Sequence, residues 1–323
     1  VVEGKSILFF SIVFAIIVRI TFYFSGNNIV SPASDGYLWQ SLSFLFKDTL
    51  VSVIGSSVIL IILALLVAHI NTTHVLIRRR TMLPPAIITL LFSCHPMFMQ
   101  ISPGYISILC LLFVIDILFS VYNANEKPVG AFRVAFVLSL GSLFAPIMLV
   151  YIPFSWIALT IMRCFSFKSF FAATLGILIV YFPTFSYYIF TDDLGLFLKP
   201  FLSAFETESL PFLKFNHTLW GELVFFIILL GLIMANNYIN GYKDKVKTRA
   251  YLLVLSLIII FSLLLFIFMD INPDINLYIA AGTGSILLSH FFALVDKKAG
   301  VVLFYIFILL LFTVCIFSFT GIL

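Results

Sequence analysis

Two ionisable residues stand inside long apolar segments of this chain, where a charge needs a partner or a function. Arg19 lies six residues before the end of the first apolar segment, about 9 Å deep at 1.5 Å per residue. A buried cation is costly in lipid, so we expect Arg19 to reach outward to water, pair with an acid or hold an anion. Phosphate is a suitable anion because a guanidinium can donate two parallel hydrogen bonds to it.

Asp116 is the second such residue, between the apolar runs Phe113–Ile115 and Ile117–Phe119. An ionisable group at this depth is a candidate for function, such as proton-coupled chemistry. The alternative is a structural hydrogen bond or an ion pair near the inner end of its segment. The sequence leaves both interpretations open.

Composition identifies the surroundings of these residues as a lipid bilayer. Of 323 residues, 63% are hydrophobic, 10% are charged and 39 are phenylalanine. Soluble domains are roughly 45 to 50% apolar and about 25% charged, so a water-soluble enzyme and a nucleic-acid-binding protein are excluded. The chain also lacks a Walker loop, a dinucleotide-binding glycine motif, paired Cys/His metal spacing and a GxSxG motif.

The long apolar runs predict an all-α polytopic membrane protein with about eleven transmembrane helices. The predicted spans cover residues 6–25, 50–69, 82–99, 105–122, 131–144, 147–162, 169–190, 218–236, 250–269, 277–294 and 300–321. The fifth and sixth form one continuous stretch from Ala131 to Arg163, which is too long for one crossing. Gly141 and Pro146 favour a helical hairpin there, with a single kinked helix as the alternative.

Basic residues predict the orientation, because positively charged loops favour the cytoplasmic side. With the N-terminus inside, fourteen of the eighteen cations fall on the inner side. These are Lys5, Arg78, Arg79, Arg80, Lys127, Arg133, Arg163, Lys168, Lys243, Lys245, Lys247, Arg249, Lys297 and Lys298. A single kinked helix at 131–163 would move most of the later basic residues outside, so eleven spans fit better.

Two long segments are predicted on the outer side, at residues 26–48 and 191–217. Most acids fall outside, namely Asp35, Asp48, Asp192, Asp193, Glu206, Glu208, Asp270 and Asp274. In the first segment Leu38, Leu42 and Leu45 recur at helical spacing, and the second alternates phenylalanines with charges. Both patterns predict short helices lying in the membrane interface.

The first segment and the cysteines have simple interpretations. The first apolar run is too long for a cleavable signal peptide, and no small-residue cleavage site follows it. Cys94, Cys110, Cys164 and Cys315 lie in or beside apolar spans without paired spacing. We therefore predict that they are packing residues.

The order of short motifs in roughly residues 5–190 resembles that of a known superfamily. After the first span come Asp35-Gly36-Tyr37-Leu38-Trp39, a basic turn Arg78-Arg79-Arg80, then Cys94-His95-Pro96, an outer turn Gln100–Gly104 and the helical hairpin. This order resembles the N-terminal half of the GT-C superfamily of polytopic glycosyltransferases, which use polyprenyl-phosphate-linked sugars at the outer face. It is also similar to an uncharacterised family of bacterial multi-pass membrane proteins.

The resemblance implies roles for particular residues. Asp35 matches the acid on the first outer loop, which serves as catalytic base or metal-linked acid; its alternative is to cap the helix that follows. Arg19, His95 and Lys199 would contact the donor phosphate. Their alternatives are snorkelling or an ion pair for Arg19 and a backbone-satisfied helix end for His95.

Two departures from the superfamily pattern affect the predicted site. The second acid expected after the third span is missing, and Asp192 and Asp193 are the nearest substitutes, or else a solvated turn. The basic residue expected at the hairpin tip is replaced by Phe144-Ala145-Pro146. No cofactor is implied except a divalent cation, which some superfamily members use.

The predicted organisation is one transmembrane domain over residues 1–323: a GT-C-like core at 1–190, a long outer loop at 191–217 and C-terminal helices at 218–323. The predicted function is transfer of a sugar from a polyprenyl-phosphate donor to an acceptor at the outer face of a bacterial inner membrane. The alternatives are a non-catalytic scaffold subunit and a lipid-linked glycan flippase or secondary transporter. The expected partners are the lipid-linked sugar, membrane lipids and a further membrane protein, without nucleic acid.

Overall fold

The computed structural model describes residues 6–25, 36–123, 127–203, 217–269, 272–295 and 298–319. Within these residues the fold is all-α, without strands. The α-helices are α1 Ser6–Phe24, α2 Tyr37–Leu42, α3 Thr49–His74, α4 Leu83–Cys94, α5 Pro103–Ser120, α6 Lys127–Ser142, α7 Tyr151–Ile161, α8 Phe167–Phe190, α9 Leu194–Ser203, α10 His217–Ile239, α11 Val246–Phe268, α12 Pro273–Leu294 and α13 Lys298–Phe319. The prediction of an all-α polytopic membrane protein is confirmed.

A helix occupies each of the eleven predicted spans. Within the described part of the chain, six helices are long and apolar enough to cross a membrane: α1, α3, α5, α8, α11 and α12. Shorter apolar helices lie at α4, at residues 146–161 and within α10 and α13. Helices α2 and α9 lie in the two segments that were predicted to carry interfacial helices. The number of crossings and their orientation stay predictions.

The stretch from Ala131 to Arg163 is divided into two helices, as predicted. Helix α6 ends at Ser142, Ala145 is extended (φ −142°, ψ 102°), and a 3-10 turn from Pro146 leads into α7. A β-carbon at Gly141 would lie 3.3 Å from Cε of Met148, so the chain has turned back on itself. The single kinked helix is therefore not what forms.

The third span was predicted to cover residues 82–99, and its predicted C-terminal end is wrong. Helix α4 stops at Cys94, and His95 is extended (φ −112°, ψ 137°). The cause is Pro96, because a residue before proline is pushed out of the helical region. Residues 95–102, which we call the 95–102 segment, contain only a 3-10 turn at Pro96–Phe98 before α5 begins at Pro103.

Contacts between helices define two ends of the bundle. At one, the Arg19 end, Arg19 of α1 meets Phe98, and the Tyr278 hydroxyl of α12 donates to the Met97 carbonyl at 2.6 Å. At the other, the His74 end, His74 of α3 contacts Asp116 of α5. A continuous apolar core between the two ends includes the buried residues Leu63, Ile88, Leu112, Ile279 and Leu287. The candidate functional residues therefore lie at the ends of the bundle.

Candidate functional site

The 95–102 segment is the main irregular backbone at the Arg19 end, and four helices supply its hydrogen-bond partners. From α3, the Ser56 hydroxyl donates to the Met99 carbonyl at 2.7 Å, and the Ser52 hydroxyl accepts from the Ile101 amide at 3.0 Å. Tyr278 of α12 binds the Met97 carbonyl, while Tyr105 of α5 donates to the Phe98 carbonyl. Backbone groups at membrane depth must be satisfied by protein, and here side chains do this.

Arg19 of α1, the fourth of these helices, is a further partner of this segment. It is buried, with 3% of its surface exposed, and its Nη2 group lies 3.2 Å from the Phe98 carbonyl oxygen and 2.8 Å from the Tyr105 hydroxyl. It also reaches the Phe92 carbonyl oxygen at 3.4 Å. That carbonyl would bond the amide four residues later in a continuing helix, but residue 96 is proline and has no N–H. Arg19 therefore caps the C-terminus of α4.

The guanidinium still has an unused donor. Arg19 Nε is buried and has no hydrogen-bond partner among the described residues. The residues whose carbonyls accept from Arg19 carry packed aromatic rings: the ring centroids of Phe92 and Phe98 lie 4.7 Å apart, and Tyr278 packs edge-on against Phe98 at 4.6 Å. This combination gives the site a cation in an apolar wall, which is a setting where an anion is held strongly.

His95, the first residue of the 95–102 segment, shares one neighbour with Arg19, namely Phe98. Its Nδ1 accepts a hydrogen bond from the Met97 amide at 3.1 Å, and its ring packs edge-on against Phe98 at 5.9 Å. With Nδ1 accepting, a neutral ring carries its proton on Nε2. Two of the predicted phosphate-contacting residues therefore both contact Phe98, Arg19 at its carbonyl oxygen and His95 at its ring.

The other predicted site residues lie elsewhere at this end of the bundle or outside the described residues. Asp192, Asp193 and Lys199 are exposed and lie on the turn after α8 and on α9. Asp192 has a positive φ of 57°, a conformation that aspartate tolerates better than most residues. The candidate base Asp35 lies outside the described residues, which resume at Gly36.

The two surface helices α2 and α9 are tied together beside the break between α6 and α7. The Tyr37 hydroxyl of α2 donates to the Phe197 carbonyl of α9 at 2.6 Å, and their rings stack at 5.8 Å. The Leu38 amide donates to the Leu143 carbonyl at 2.9 Å. Burial, with smaller effects of neighbouring tyrosines, raises the pKa of Tyr37 well above its ordinary value, so the hydroxyl stays a donor at neutral pH.

The same surface is linked to the 95–102 segment through α3. Trp39 of α2 stacks on Phe46 at 6.0 Å. A β-carbon at Gly55 would lie 3.6 Å from the Phe46 ring and 3.3 Å from the Ile101 side chain. Helix α2 and the 95–102 segment are therefore neighbours at the Arg19 end.

Gly36 fits a space that no larger residue can fill. A β-carbon there would lie 2.1 Å from the Phe144 carbonyl oxygen, although its φ of −65° suits any residue. We expect Gly36→Ala to lower the free energy of unfolding by about 1 to 3 kcal/mol, because overpacking forces the backbone apart. The measurement is the thermal unfolding midpoint in detergent, followed by fluorescence of the neighbouring Trp39.

Gly231→Ala in α10 is the matched control for this prediction. A β-carbon at Gly231 would meet no described atom within 4 Å, and alanine favours a helix over glycine by roughly 1 kcal/mol. This variant should unfold at the wild-type temperature or slightly above it. If both variants unfolded at the same temperature, the predicted clash at Gly36 would be wrong.

The His74 end holds a second group of ionisable residues. His74 Nε2 lies 2.9 Å from an oxygen of the Asp116 carboxylate, so the structure shows the structural alternative for Asp116, a hydrogen bond or an ion pair. Arg78 pairs with Asp244 at 2.7 Å, and His290 Nε2 lies 3.8 Å from the same carboxylate. Arg78 was used in the sequence analysis only to predict orientation, and here it also joins the turn after α3 to the residues just before α11.

The residues that hold the 95–102 segment were not recognised in the sequence as a group. Tyr105, Tyr278, Ser52 and Ser56 are ordinary residues of apolar helices, and only their positions in the fold unite them. One local signal was available: Pro96 lies four residues after Phe92 and leaves its carbonyl without an amide donor. A metal ion has no matching site in the described ranges, where no three His, Cys, Asp or Glu side chains cluster suitably.

Comparison with known proteins gives no family assignment. No protein-family model, curated protein or solved structure matches this chain.

Proposed function

We propose that this protein is a GT-C-like membrane glycosyltransferase that moves a sugar from a polyprenyl-phosphate donor to an acceptor at the outer face of a bacterial inner membrane. The observation that carries the proposal is the 95–102 segment, a non-helical stretch held in protein at the Arg19 end. Irregular backbone at membrane depth is tolerated where it is buried or lines a cavity, and such sites bind polar ligands. The cation Arg19 contacts the segment, and His95 is its first residue.

The chemistry follows from the residue types. In the proposed reaction the acceptor hydroxyl attacks the anomeric carbon of the sugar while the bond from that carbon to the phosphate oxygen breaks. Asp35 takes the hydroxyl proton. Arg19, through its Nε–H, and His95 would hold the departing phosphate, with Lys199 as a further cation and Asp192 and Asp193 as the nearest additional acids. The leaving group is the polyprenyl phosphate.

Transport is less well supported than transfer. A path for a polar substrate would need polar groups facing one another between the two ends of the bundle. The mid-bundle hydroxyls of Ser107, Thr283 and Ser285 instead bond carbonyls three or four residues earlier in their own helices. Their neighbours form the apolar core, which opposes a hydrated path.

The direct test is donor consumption by the full chain in lipid nanodiscs. The protein is mixed with a panel of polyprenyl-phosphate-linked hexoses and pentoses and with a cell-envelope extract as the source of acceptor. We expect loss of one donor and release of free polyprenyl phosphate, measured by mass spectrometry, above the level in protein-free nanodiscs. Consumption of no donor would overturn the proposal in favour of a scaffold. Movement of intact donor across proteoliposomes would overturn it in favour of a transporter.

A further inference from the structure

Two of the four cysteines lie against each other at the Arg19 end. Cys94 is the last residue of α4, and Cys315 lies near the end of α13. Both are free thiols in the structure, and each side chain is a neighbour of the other. Both are buried in a small apolar cluster with Val18 and Phe22 of α1 and Val53 of α3. This contact joins two helices that are far apart in the sequence.

The other two cysteines have different surroundings. Cys110 packs against Gly141: a β-carbon added at Gly141 would lie 3.2 Å from the Cβ atom of Cys110. The Cys164 thiol donates to the Val121 carbonyl at the His74 end. Because all four cysteines are described, the fold selects one pairing, Cys94 with Cys315, and keeps the other two thiols apart.

We propose that Cys94 and Cys315 form a disulfide bond that fastens α13 to the end of α4. The proposal rests on the predicted orientation, in which the Arg19 end faces out of the cytoplasm, where disulfides persist. It does not depend on glycosyl transfer. The sequence showed no paired spacing because the two residues come together only through packing of the first, third, fourth and last helices.

The oxidant is a disulfide of an envelope thiol–disulfide oxidoreductase. The Cys94 thiol loses its proton, and the resulting thiolate attacks one sulfur of that disulfide, which gives a mixed disulfide and releases the second sulfur as a thiol. The Cys315 thiolate then attacks the Cys94 sulfur, which forms the new bond and releases the first sulfur as a thiol. Two electrons and two protons pass to the oxidant. Cys94 is 2% exposed in the packed bundle, so the exchange takes place before α13 has docked.

The bond would fix the helix that carries Arg19. Helix α13 faces outward with exposed apolar side chains such as Leu309 and Ile316, and Phe312 packs edge-on against Phe14 of α1 at 5.2 Å. A covalent link at Cys315 holds this outer helix against α1. The disulfide would therefore hold α13 against α1, the helix that carries Arg19.

The test is the oxidation state of each cysteine in protein taken directly from cells. Cells are lysed in sodium dodecyl sulfate with excess N-ethylmaleimide, and the protein is then reduced, treated with iodoacetamide, digested and analysed by mass spectrometry. We expect Cys110 and Cys164 to carry the first reagent and Cys94 and Cys315 to carry the second in more than half of the molecules. A linked peptide should appear when reduction is omitted. If all four cysteines carried the first reagent, or if a different pair were linked, the proposal would be overturned.

Two variants sharpen the result. The double variant Cys110→Ser, Cys164→Ser should keep the linked peptide, whereas Cys315→Ser should leave Cys94 open to N-ethylmaleimide. Persistence of protected Cys94 in Cys315→Ser would contradict the assigned pairing. The measurement on the wild-type chain decides the proposal even if a variant does not accumulate.

Discussion

Replacing Asp35 by asparagine is expected to slow consumption of the polyprenyl-phosphate donor by about 100-fold or more. A positioned general base contributes roughly 10²- to 10⁴-fold to a rate, and asparagine cannot accept the proton of the acceptor hydroxyl. Asparagine caps helices as well as aspartate does, so the alternative role of Asp35, capping α2, would survive this substitution. The measurement is the initial rate of polyprenyl phosphate release in nanodiscs, with each variant at equal folded concentration.

Asp48→Asn is the matched control. Asp48 belongs to the same predicted outer segment, and its carboxylate accepts from the Leu50 amide at 3.1 Å as the N-cap of α3. Because asparagine can replace it in that bond, this variant should retain the wild-type rate. Equal loss of rate in both variants would point to general damage to the segment, and equal retention would show that Asp35 is not the base.

The fold was largely predictable because lipid imposes a simple rule on sequence. Each membrane helix must hide its backbone, so a long apolar run predicts a helix, and a helix was found at every predicted span. The division of Ala131–Arg163 was also predictable, since Gly141 and Pro146 weaken the helix where it breaks.

The 95–102 segment was not predictable from hydropathy. Met97, Phe98 and Met99 are apolar and extend the run of α4, yet the chain leaves the helix before them. Hydropathy reports burial and not conformation, and this segment is buried in protein without being helical. Pro96 was the one residue whose backbone chemistry contradicted the helix.

The side chains that pair between different helices could not be predicted from the sequence either. Arg19 was expected to find water, an acid or an anion, whereas its observed acceptors are two carbonyls and the Tyr105 hydroxyl. For Asp116 the sequence predicted a hydrogen bond or an ion pair without naming the partner, which is His74. Which residues face each other depends on the rotation and register of two helices, and a single sequence does not encode these in any local pattern.

Arg19→Met is expected to lower the free energy of unfolding by about 2 kcal/mol or more. Hydrogen bonds to a charged group contribute about 1.5 to 3 kcal/mol each, and a buried carbonyl left without a donor costs about 1 to 3 kcal/mol. The Phe92 carbonyl would be such a group, because Pro96 has no amide to offer it. Relief of the cost of burying a cation offsets part of this loss. The thermal unfolding midpoint in detergent measures the net effect.

Arg133→Met is the control, because Arg133 is an exposed cation of α6. This variant should unfold at nearly the wild-type temperature. Arg19→Lys separates the two roles of the guanidinium. It keeps the charge for a phosphate but cannot reach both carbonyls and the Tyr105 hydroxyl in one planar arrangement. We therefore expect Arg19→Lys to lie between Arg19→Met and the wild type in stability. Wild-type stability of Arg19→Met would show that α4 does not need this cap and that the guanidinium is kept for a ligand alone.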